Sequence, residues 1–201
     1  SGGARVVGDA VSCAVLNAGD GRHEHPTQAL IDALTLSRAL GREAGFDLSG
    51  VRVAIVGDCA ASRVARSNIA CLTTLGAEAV CCGPPGMAPR GLEALGCRVS
   101  NDLDAVVGEV DALMALRIQF ERSSSIGSAR EYRDRFGLTR ERAQRMRRGA
   151  WVMHPGPMNR GLEIDGEVAD GERSLVLRQV SAGPDVRAAA LLSCVNACRQ
   201  S

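Results

Sequence analysis

The sequence predicts an α/β protein that consists of a doubly wound parallel sheet plus a fragment of a second α/β domain. Short apolar runs rich in β-branched residues alternate with segments of helical periodicity, which is typical of β-α-β units with helices on both faces. Several of the runs end in Gly, Pro or Asp, which favours strands that stop at a turn. A length of 201 residues with 45% hydrophobic content is enough for a packed core.

The predicted strands and helices follow one another from residue 51 to residue 157. The first pair is the strand VRVAIVGD at 51–58 and the helix at 59–76, which ends at Gly76. Because ligands bind beyond the carboxyl ends of parallel strands, we expect polar residues of 57–63, 116–122 and 153–161 to converge at one rim. The further pairs are 77–86 with 87–96 and 97–100 with 101–110; a strand at 111–117 then leads into a long polar stretch, and the helix at 138–149 precedes a last strand at 149–157.

The segments outside this alternation predict the domain limits. Residues 13–21 predict one more strand and loop, and residues 25–41 predict a long amphipathic helix. We expect three parts, which are a partial first domain with its bridging helix at 1–45, the sheet domain at 46–182, and a helix started by proline at 183–201 that packs back on the first part.

Composition excludes several classes of chemistry. All 24 positively charged side chains are arginines, so lysine Schiff bases, lysine general bases and Walker-type phosphate loops are ruled out. A formal net charge of +1 gives no reason to expect nucleic acid or a membrane as partner. The eight cysteines form no C-x-x-C pair, so we expect no metal site, and reduced thiols in a cytoplasmic protein.

The arginine-rich segment 130–149 invites a nucleic-acid interpretation. Acidic residues are interspersed in it, and the five aromatic residues of the chain offer no stacking platform. We expect a solvated helix with ion pairs between residues four apart.

The loop GDGRHEHPTQ at 19–28 places His25 at the start of a helix. Pro26 suits the first helical turn, where free backbone N–H groups favour an anion. A neutral imidazole there can polarise a carbonyl oxygen, and Gln28 can add its amide one turn later. The alternative is that His25 only caps the helix.

Two arginines follow predicted strands. Arg63 begins the helix after the first strand, and Arg117 directly follows the apolar strand that ends in LMAL. A guanidinium binds carboxylates or phosphates with two parallel hydrogen bonds, and Gln119 would lie on the same side as Arg117 in an extended chain. This pair suits a small dicarboxylate, although ordinary salt bridges would explain both arginines. No G-x-G-x-x-G stretch follows the first strand, which argues against a dinucleotide cofactor.

The loop MHPGPMNRG at 153–161 follows the last predicted strand. Its prolines hold the backbone stiff and leave carbonyl groups available to an amine or amide. The alternative is a tight structural turn.

These segments occur together in the order and spacing of a known family. The stretches LNAGDGRHEHPTQALIDALTL, VGDCAASRVARSN, LRIQFER, EYRDRFGLTRERAQRM and VMHPGPMNRGLEI resemble the catalytic chain of the aspartate carbamoyltransferases. The resemblance implies that carbamoyl phosphate and L-aspartate are converted to N-carbamoyl-L-aspartate and phosphate in pyrimidine biosynthesis, with no metal or organic cofactor. It also implies a homotrimer when full length, to which regulatory or other pathway subunits could bind.

The resemblance implies roles for the residues named above. Charge builds on the carbamoyl oxygen when the aspartate amine attacks, and because no carboxylate or lysine base is evident, the departing phosphate would take the proton. The implied carbamoyl contacts are His25, Gln28 and the main chain at Gly156 and Pro157, and the implied aspartate contacts are Arg63, Arg117 and Gln119.

One departure from the family concerns activity. The family's Ser-Thr-Arg-Thr phosphate loop precedes the region that aligns with residue 1, so we expect the 201 residues alone to be inactive. One alternative is a non-catalytic domain that binds a dicarboxylate or a partner subunit. A less favoured alternative is another carbamoyltransferase such as the ornithine enzyme, whose cationic substrate would need an acidic partner where this chain has Arg117.

Overall fold

The computed structural model describes residues 1–119 and 128–200, with side chains to residue 197. Its centre is a parallel sheet of five strands in the order β3-β2-β1-β4-β5. The strands are β1 (Arg52–Val56), β2 (Glu78–Cys82), β3 (Arg98–Ser100), β4 (Ala112–Ala115) and β5 (Trp151–Met153). The helices are α1 (Gly3–Ala10), α2 (Pro26–Ala39), α3 (Arg63–Thr74), α4 (Leu103–Val106), α5 (Ala129–Phe136), α6 (Arg140–Arg145), α7 (Gly166–Ala169) and α8 (Val176–Gln200), and Arg90–Leu95 forms a 3₁₀ helix.

The two faces of the sheet bury two separate apolar clusters. Alternate residues of β1 point to opposite faces, so Ala54 and Val56 join one cluster while Val53 and Ile55 join the other. All four are at most 2% exposed. A strand buried on both faces is apolar throughout, and this explains the continuous runs in the sequence. The predicted α/β class with a parallel sheet is confirmed.

The chain changes direction across the sheet at β1. From β1 it moves to β2 and β3 on one side, then crosses back to β4 and β5 on the other. The loops that follow β1 and β4 therefore lead away from each other and leave a crevice at the carboxyl edge, which is where open α/β sheets bind ligands.

The C-terminal helix differs from its prediction. Helix α8 begins at Val176, and Pro184 lies inside it instead of starting it. Val176, Gln179 and Ala182 recur at helical spacing and are buried. Their packing extends the helix beyond the proline, although Pro184 removes one backbone hydrogen bond. Helix α8 packs against α2 and β5.

The predicted strand at 13–21 is wrong. The chain has helix α1 before this segment, and only Asp20 forms an isolated bridge, with Glu24. Among the described residues no strand lies beside 13–19, and an extended segment without a neighbour is not stable as a strand.

The arginine-rich segment is partly solvated and partly buried. The predicted pairs exist on α5, where Arg130 lies 3.8 Å from Asp134 and Arg135 lies 3.7 Å from Glu131. The single helix is wrong, because Gly137–Thr139 separates α5 from α6. Arg142 of α6 is also buried, with Nε and Nη2 each 3.0 Å from an Asp104 carboxylate oxygen.

The described part of the chain contains no helix long and apolar enough to cross a membrane. The seven cysteines with described side chains are free thiols, and Cys59, Cys81, Cys82 and Cys97 are buried. Across residues 1–119 and 128–197, no three His, Cys, Asp or Glu side chains are grouped so that they could hold a metal ion.

Candidate functional site

A cavity of about 630 Å³ opens at the carboxyl edge of the sheet. Loops that follow β1, β4 and β5 form three of its walls, and the loop before α2 forms the fourth. The polar side chains that line it are Arg22, Asp58, Ser62, Arg63, Arg117 and Gln119, and Pro155–Pro157 closes one side.

The loop after β1 contributes one carboxylate and one guanidinium. Asp58 Oδ1 accepts the Ala61 N–H at 3.1 Å, and Ser62 Oγ accepts the Ala65 N–H at 3.1 Å and so caps α3. Arg63 is therefore held in the first turn of α3. Burial raises the pKa of Asp58 above its ordinary value, whereas the Ala61 N–H and the charge of Arg22 favour the ionised form.

The loop before α2 packs closely on Arg63. Gly19 has φ +118°, and a Cβ built on it would lie 3.0 Å from Arg63 Cζ. Only glycine combines this backbone conformation with so close a neighbour. Asn17 Oδ1 accepts the Gly19 N–H at 2.8 Å, and Asp20 Oδ1 accepts the Glu24 N–H at 3.0 Å, so side chains of the loop fix its own turn.

His25 is the residue before α2, and its side chain makes no capping hydrogen bond. His25 thus occupies the cap position of α2, but its imidazole does not cap the helix. Its backbone N–H donates to Ser67 Oγ at 2.9 Å, and Thr27 Oγ1 lies 3.4 Å from Nδ1. Burial lowers the pKa of His25 below 6.5, and the charges of Arg63 and Arg187 lower it further. Burial and the two guanidinium charges therefore all favour the neutral imidazole.

Gln28 is buried in the first turn of α2. Its Nε2 donates to Asp32 Oδ1 at 2.8 Å, so one of its two N–H groups is already used. Neither Gln28 nor His25 lines the cavity itself, although His25 is close enough to Arg63 for the guanidinium to lower its pKa.

The chain after β4 makes one further hydrogen bond to β1. The Leu116 N–H donates to the Val56 carbonyl at 2.8 Å, which prolongs the pairing with β1. Ile118 is 2% exposed, and its neighbours Arg117 and Gln119 both line the cavity. This alternation agrees with the prediction that Arg117 and Gln119 lie on one side.

The loop after β5 is held by the side chain of its first residue. His154 is 1% exposed, and its Nδ1 accepts the Gly156 N–H at 2.9 Å. The ring hydrogen is therefore on Nε2, which lies 3.3 Å from Glu163 Oε1 and donates to it. His154 thus shapes the turn, while Gly156 and Pro157 line the cavity.

The cavity brings together Arg63, Arg117, Gln119, Gly156 and Pro157, all of which the sequence singled out. It adds Arg22, which sequence reasoning missed, and Asp58, which belongs to the predicted rim segment 57–63 but was given no role. The sequence interpretation found no evident carboxylate base, whereas the cavity lining contains the carboxylate of Asp58. Asp58 lies just beyond the carboxyl end of β1, as Arg117 lies just beyond that of β4. Because ligands bind beyond the carboxyl ends of parallel strands, the same reasoning applies to both residues.

The charges of the lining favour an anion that also has a basic group. The lining contains the guanidinium groups of Arg22, Arg63 and Arg117 and one carboxylate, that of Asp58. None of these three guanidinium groups has a hydrogen bond or ion pair within the described residues. Guanidinium groups without partners are suited to bind carboxylates, and Asp58 could accept a hydrogen bond from an amine.

Comparisons with known proteins agree on one family. Residues 49–194 match the family model described as aspartate/ornithine carbamoyltransferase, Asp/Orn binding domain. The aspartate carbamoyltransferase catalytic subunit of Myxococcus xanthus is 53% identical over 196 residues, which are 96% of this chain and 64% of that protein.

Solved structures share the fold. The catalytic subunit of M. jannaschii aspartate transcarbamoylase has a TM-score of 0.79 at 27% identity, covering 98% of this chain and 64% of that one. Ornithine carbamoyltransferase from Thermus thermophilus also has a TM-score of 0.79, at 25% identity, covering 95% of this chain and 62% of that one. The chain thus spans slightly less than two thirds of the length of these relatives.

Proposed function

The chain belongs to the aspartate/ornithine carbamoyltransferase family, and from this premise we propose that it transfers the carbamoyl group of carbamoyl phosphate to L-aspartate. The products are N-carbamoyl-L-aspartate and phosphate. The observation on which the proposal depends is the cavity at the carboxyl edge, where Arg63 and Arg117 face a common space near His25, whose pKa is lowered by burial and by the charges of Arg63 and Arg187.

In the proposed reaction the aspartate amine attacks the carbamoyl carbon. A nitrogen–carbon bond forms, the bond from carbon to the phosphate oxygen breaks, and phosphate leaves with the electron pair. The departing phosphate takes the amine proton, and Asp58 is near enough to the cavity to hold the amine in place. Arg63, Arg117 and Gln119 bind the two aspartate carboxylates, which leaves the amine as the free nucleophile.

His25 acts in this proposal as a hydrogen-bond donor to the carbamoyl oxygen. Charge develops on that oxygen in the transition state, and a fixed donor stabilises the charge. When the Thr27 hydroxyl donates to Nδ1, the ring hydrogen is on Nε2 and is available to the substrate. The amide of Gln28 and the main chain at Gly156 and Pro157 are the other proposed carbamoyl contacts.

Ornithine is the less favoured second substrate. Its side chain ends in an ammonium group, which three lining guanidinium groups repel and only Asp58 attracts. Aspartate presents two carboxylates to the same guanidinium groups, so the charge of the cavity favours aspartate.

The proposed assembly and location follow from the family and the cysteines. We propose a homotrimer, with other pathway subunits as further partners. The seven described cysteines are free thiols, which favours a reducing compartment such as the cytoplasm.

The proposal is tested by binding and turnover with the intact protein and its natural termini. Carbamoyl phosphate, L-aspartate and L-ornithine are titrated separately by calorimetry, and N-carbamoyl-L-aspartate is measured after mixing. We expect carbamoyl phosphate and aspartate to bind and product to form. Binding of aspartate alone without turnover would instead support a non-catalytic dicarboxylate-binding protein, and turnover of ornithine would reassign the substrate.

Two substitutions separate the proposed roles. Arg117→Ala is expected to raise the aspartate KM with a smaller change in kcat, because it removes a substrate contact. His25→Ala is expected to lower kcat by about 10²- to 10³-fold, as loss of one transition-state donor does. Arg130→Ala, on the exposed face of α5, serves as the control and should leave both constants unchanged. An unchanged kcat in His25→Ala would refute the donor role.

A further inference from the structure

Asp32 of α2 is the centre of a buried group of hydrogen bonds. It is 1% exposed, and three side-chain amides donate to its carboxylate at 2.8 Å each. Gln28 and Gln179 donate to Oδ1, and Asn68 donates to Oδ2. The donors belong to α2, α8 and α3, so one carboxylate joins three helices.

Gln179 extends this group to a wall of the cavity. Its Nε2 donates to Asp32, and its Oε1 accepts the backbone N–H of His154 at 3.0 Å. His154 in turn accepts the Gly156 N–H through Nδ1 at 2.9 Å. Asp32 is therefore two hydrogen bonds away from the backbone that leads into Pro155–Pro157.

The other branch reaches the side of the cavity where His25 lies. Gln28 lies in the first turn of α2, three residues after His25, which precedes the helix, and its Nε2–H donates to Asp32 and so sets the orientation of its amide plane. The remaining N–H and the Oε1 of Gln28 are thereby fixed in direction. One buried carboxylate is thus bonded both to Gln28 and, through Gln179, to the backbone that leads into Pro155–Pro157.

Stability alone is a poor explanation for this arrangement. No cation forms an ion pair with Asp32 within the described residues, so removing its charge from water costs free energy that only amide hydrogen bonds offset. Burial raises the pKa of Asp32, while the amides of Gln179, Asn68 and Gln28 favour the ionised form. An apolar side chain of similar volume would avoid the cost, whereas a carboxylate fixes the directions of its donors.

We infer that Asp32 is a positioning residue, which orients the Gln28 amide and, through Gln179, the Pro155–Pro157 loop around the carbamoyl group. The inference rests on the proposed carbamoyl transfer. If the Asp32 carboxylate is lost, kcat/KM for carbamoyl phosphate should fall. Aspartate binding should be nearly unchanged, because Arg63 and Arg117 are not bonded to this network.

The test compares Asp32→Ala with Asp32→Asn in the intact protein. Asparagine keeps one oxygen for Gln28 and Gln179, and its NH₂ can donate to Asn68, whose Oδ1 has no partner in the described structure and can turn toward it. Asp32→Asn should therefore keep kcat/KM for carbamoyl phosphate within about threefold of wild type. Asp32→Ala should lower it by about 10²-fold, the size of effect that a displacement of about 1 Å can cause.

Gln179→Ala provides a second arm should Asp32→Ala fail to fold. It cuts the connection to His154 and should also lower kcat/KM for carbamoyl phosphate, with the aspartate KM within about twofold of wild type. In a double-mutant cycle the effects of Asp32→Ala and Gln179→Ala should not add, because both act through one network.

Thr35→Val is the matched control. Thr35 is buried on the same helix one turn beyond Asp32 and donates to the Ile31 carbonyl at 2.7 Å. It should lower Tm without changing either KM.

The outcomes separate the inference from the proposed function. A wild-type protein that forms no N-carbamoyl-L-aspartate overturns the proposed function and the inference with it. An active wild type overturns the inference alone in any of three cases: Gln179→Ala matches wild type, Asp32→Asn is as impaired as Asp32→Ala, or Thr35→Val shows the same loss for carbamoyl phosphate.

Discussion

His25 is the residue whose chemistry depends most on its neighbours. A histidine with an ordinary pKa of 6.5 is partly protonated near neutral pH, but burial, Arg63 and Arg187 all disfavour its charge. The neutral ring needed for the proposed donor role is thus a property of the surroundings. The lowered pKa of His25 also makes stability depend on pH, because the unfolded chain binds the proton more readily than the folded chain does. The contribution of His25 to stability is therefore complete above pH 6.5 and is lost as the pH falls through the lowered pKa.

The pKa of His25 can be measured by NMR titration of the ring Cε1 proton. We expect a midpoint below 6.5 in the wild type and a higher midpoint in Arg187→Ala, which removes one of the two cations. Arg178→Ala is the control, because Arg178 lies on the same helix but stacks on Trp151, 5.6 Å from the ring centre. A midpoint that Arg187→Ala leaves in place would show that the charge of Arg187 does not contribute to the lowered pKa.

At the scale of elements, the loop before α2 matters through its contact with Arg63. Gly19→Ala would strain the backbone and push a methyl group to 3.0 Å from the guanidinium carbon. We expect the aspartate KM to rise because Arg63 is displaced. Gly50→Ala has a similar positive φ of +77° with nothing within 4 Å of the new Cβ, so it measures strain alone. Equal effects of both variants on the KM would contradict the contact.

The junction of α5 and α6 makes a testable contribution to stability. Arg142 donates to Asp104 and to the carbonyls of Gly137 and Asp134 at 2.9 and 2.8 Å, while Arg145 reaches the same carboxylate from an exposed position. In urea unfolding, Arg142→Met should cost about 2 to 3 kcal/mol because charged donors and buried carbonyls lose partners. Arg145→Met should cost less than about 1 kcal/mol, as exposed pairs do. Equal losses would refute the difference in burial.

The pair of Arg142 and Asp104 also makes the stability of the protein depend on pH. Hydrogen bonds from Arg142 lower the pKa of Asp104 below its ordinary value of 3.8. The stability that this pair provides is therefore complete above pH 3.8 and is lost as the pH falls through the lowered pKa. Arg142→Met should show a smaller fall of stability in this range than wild type.

On the scale of the whole molecule, α8 leaves apolar side chains uncovered. Leu177, Val180, Leu191 and Leu192 are each more than half exposed, although the buried side of the helix packs on α2. We expect the 201-residue chain to bind a hydrophobic fluorescent dye in its folded state. The pair of changes Leu191→Lys and Leu192→Lys should reduce the signal without lowering Tm, whereas Ile31→Lys, at a site 1% exposed, should unfold the chain. A folded wild type that binds no dye would contradict this expectation.

The local sequence by itself determined the alternation of strands and helices and the strand-end positions of Arg63, Arg117 and Gly156. Periodicity and turn residues act over a few neighbours, so they are visible without the fold. The same local signals failed for the predicted strand at 13–21 and the helix start at 183, because a strand needs a partner and packing can extend a helix past a proline.

Only the tertiary structure decided which distant groups share a site. Arg22 and Asp58 meet across the cavity, and Gln179 donates to Asp32 across 147 positions of sequence. Such contacts depend on how the helices pack over the sheet, and no short-range pattern records that packing. The pKa of His25 depends on burial and on the charges of Arg63 and Arg187, and the orientation of Gln28 depends on its hydrogen bond to Asp32. Burial and nearby charges act through space and not along the chain.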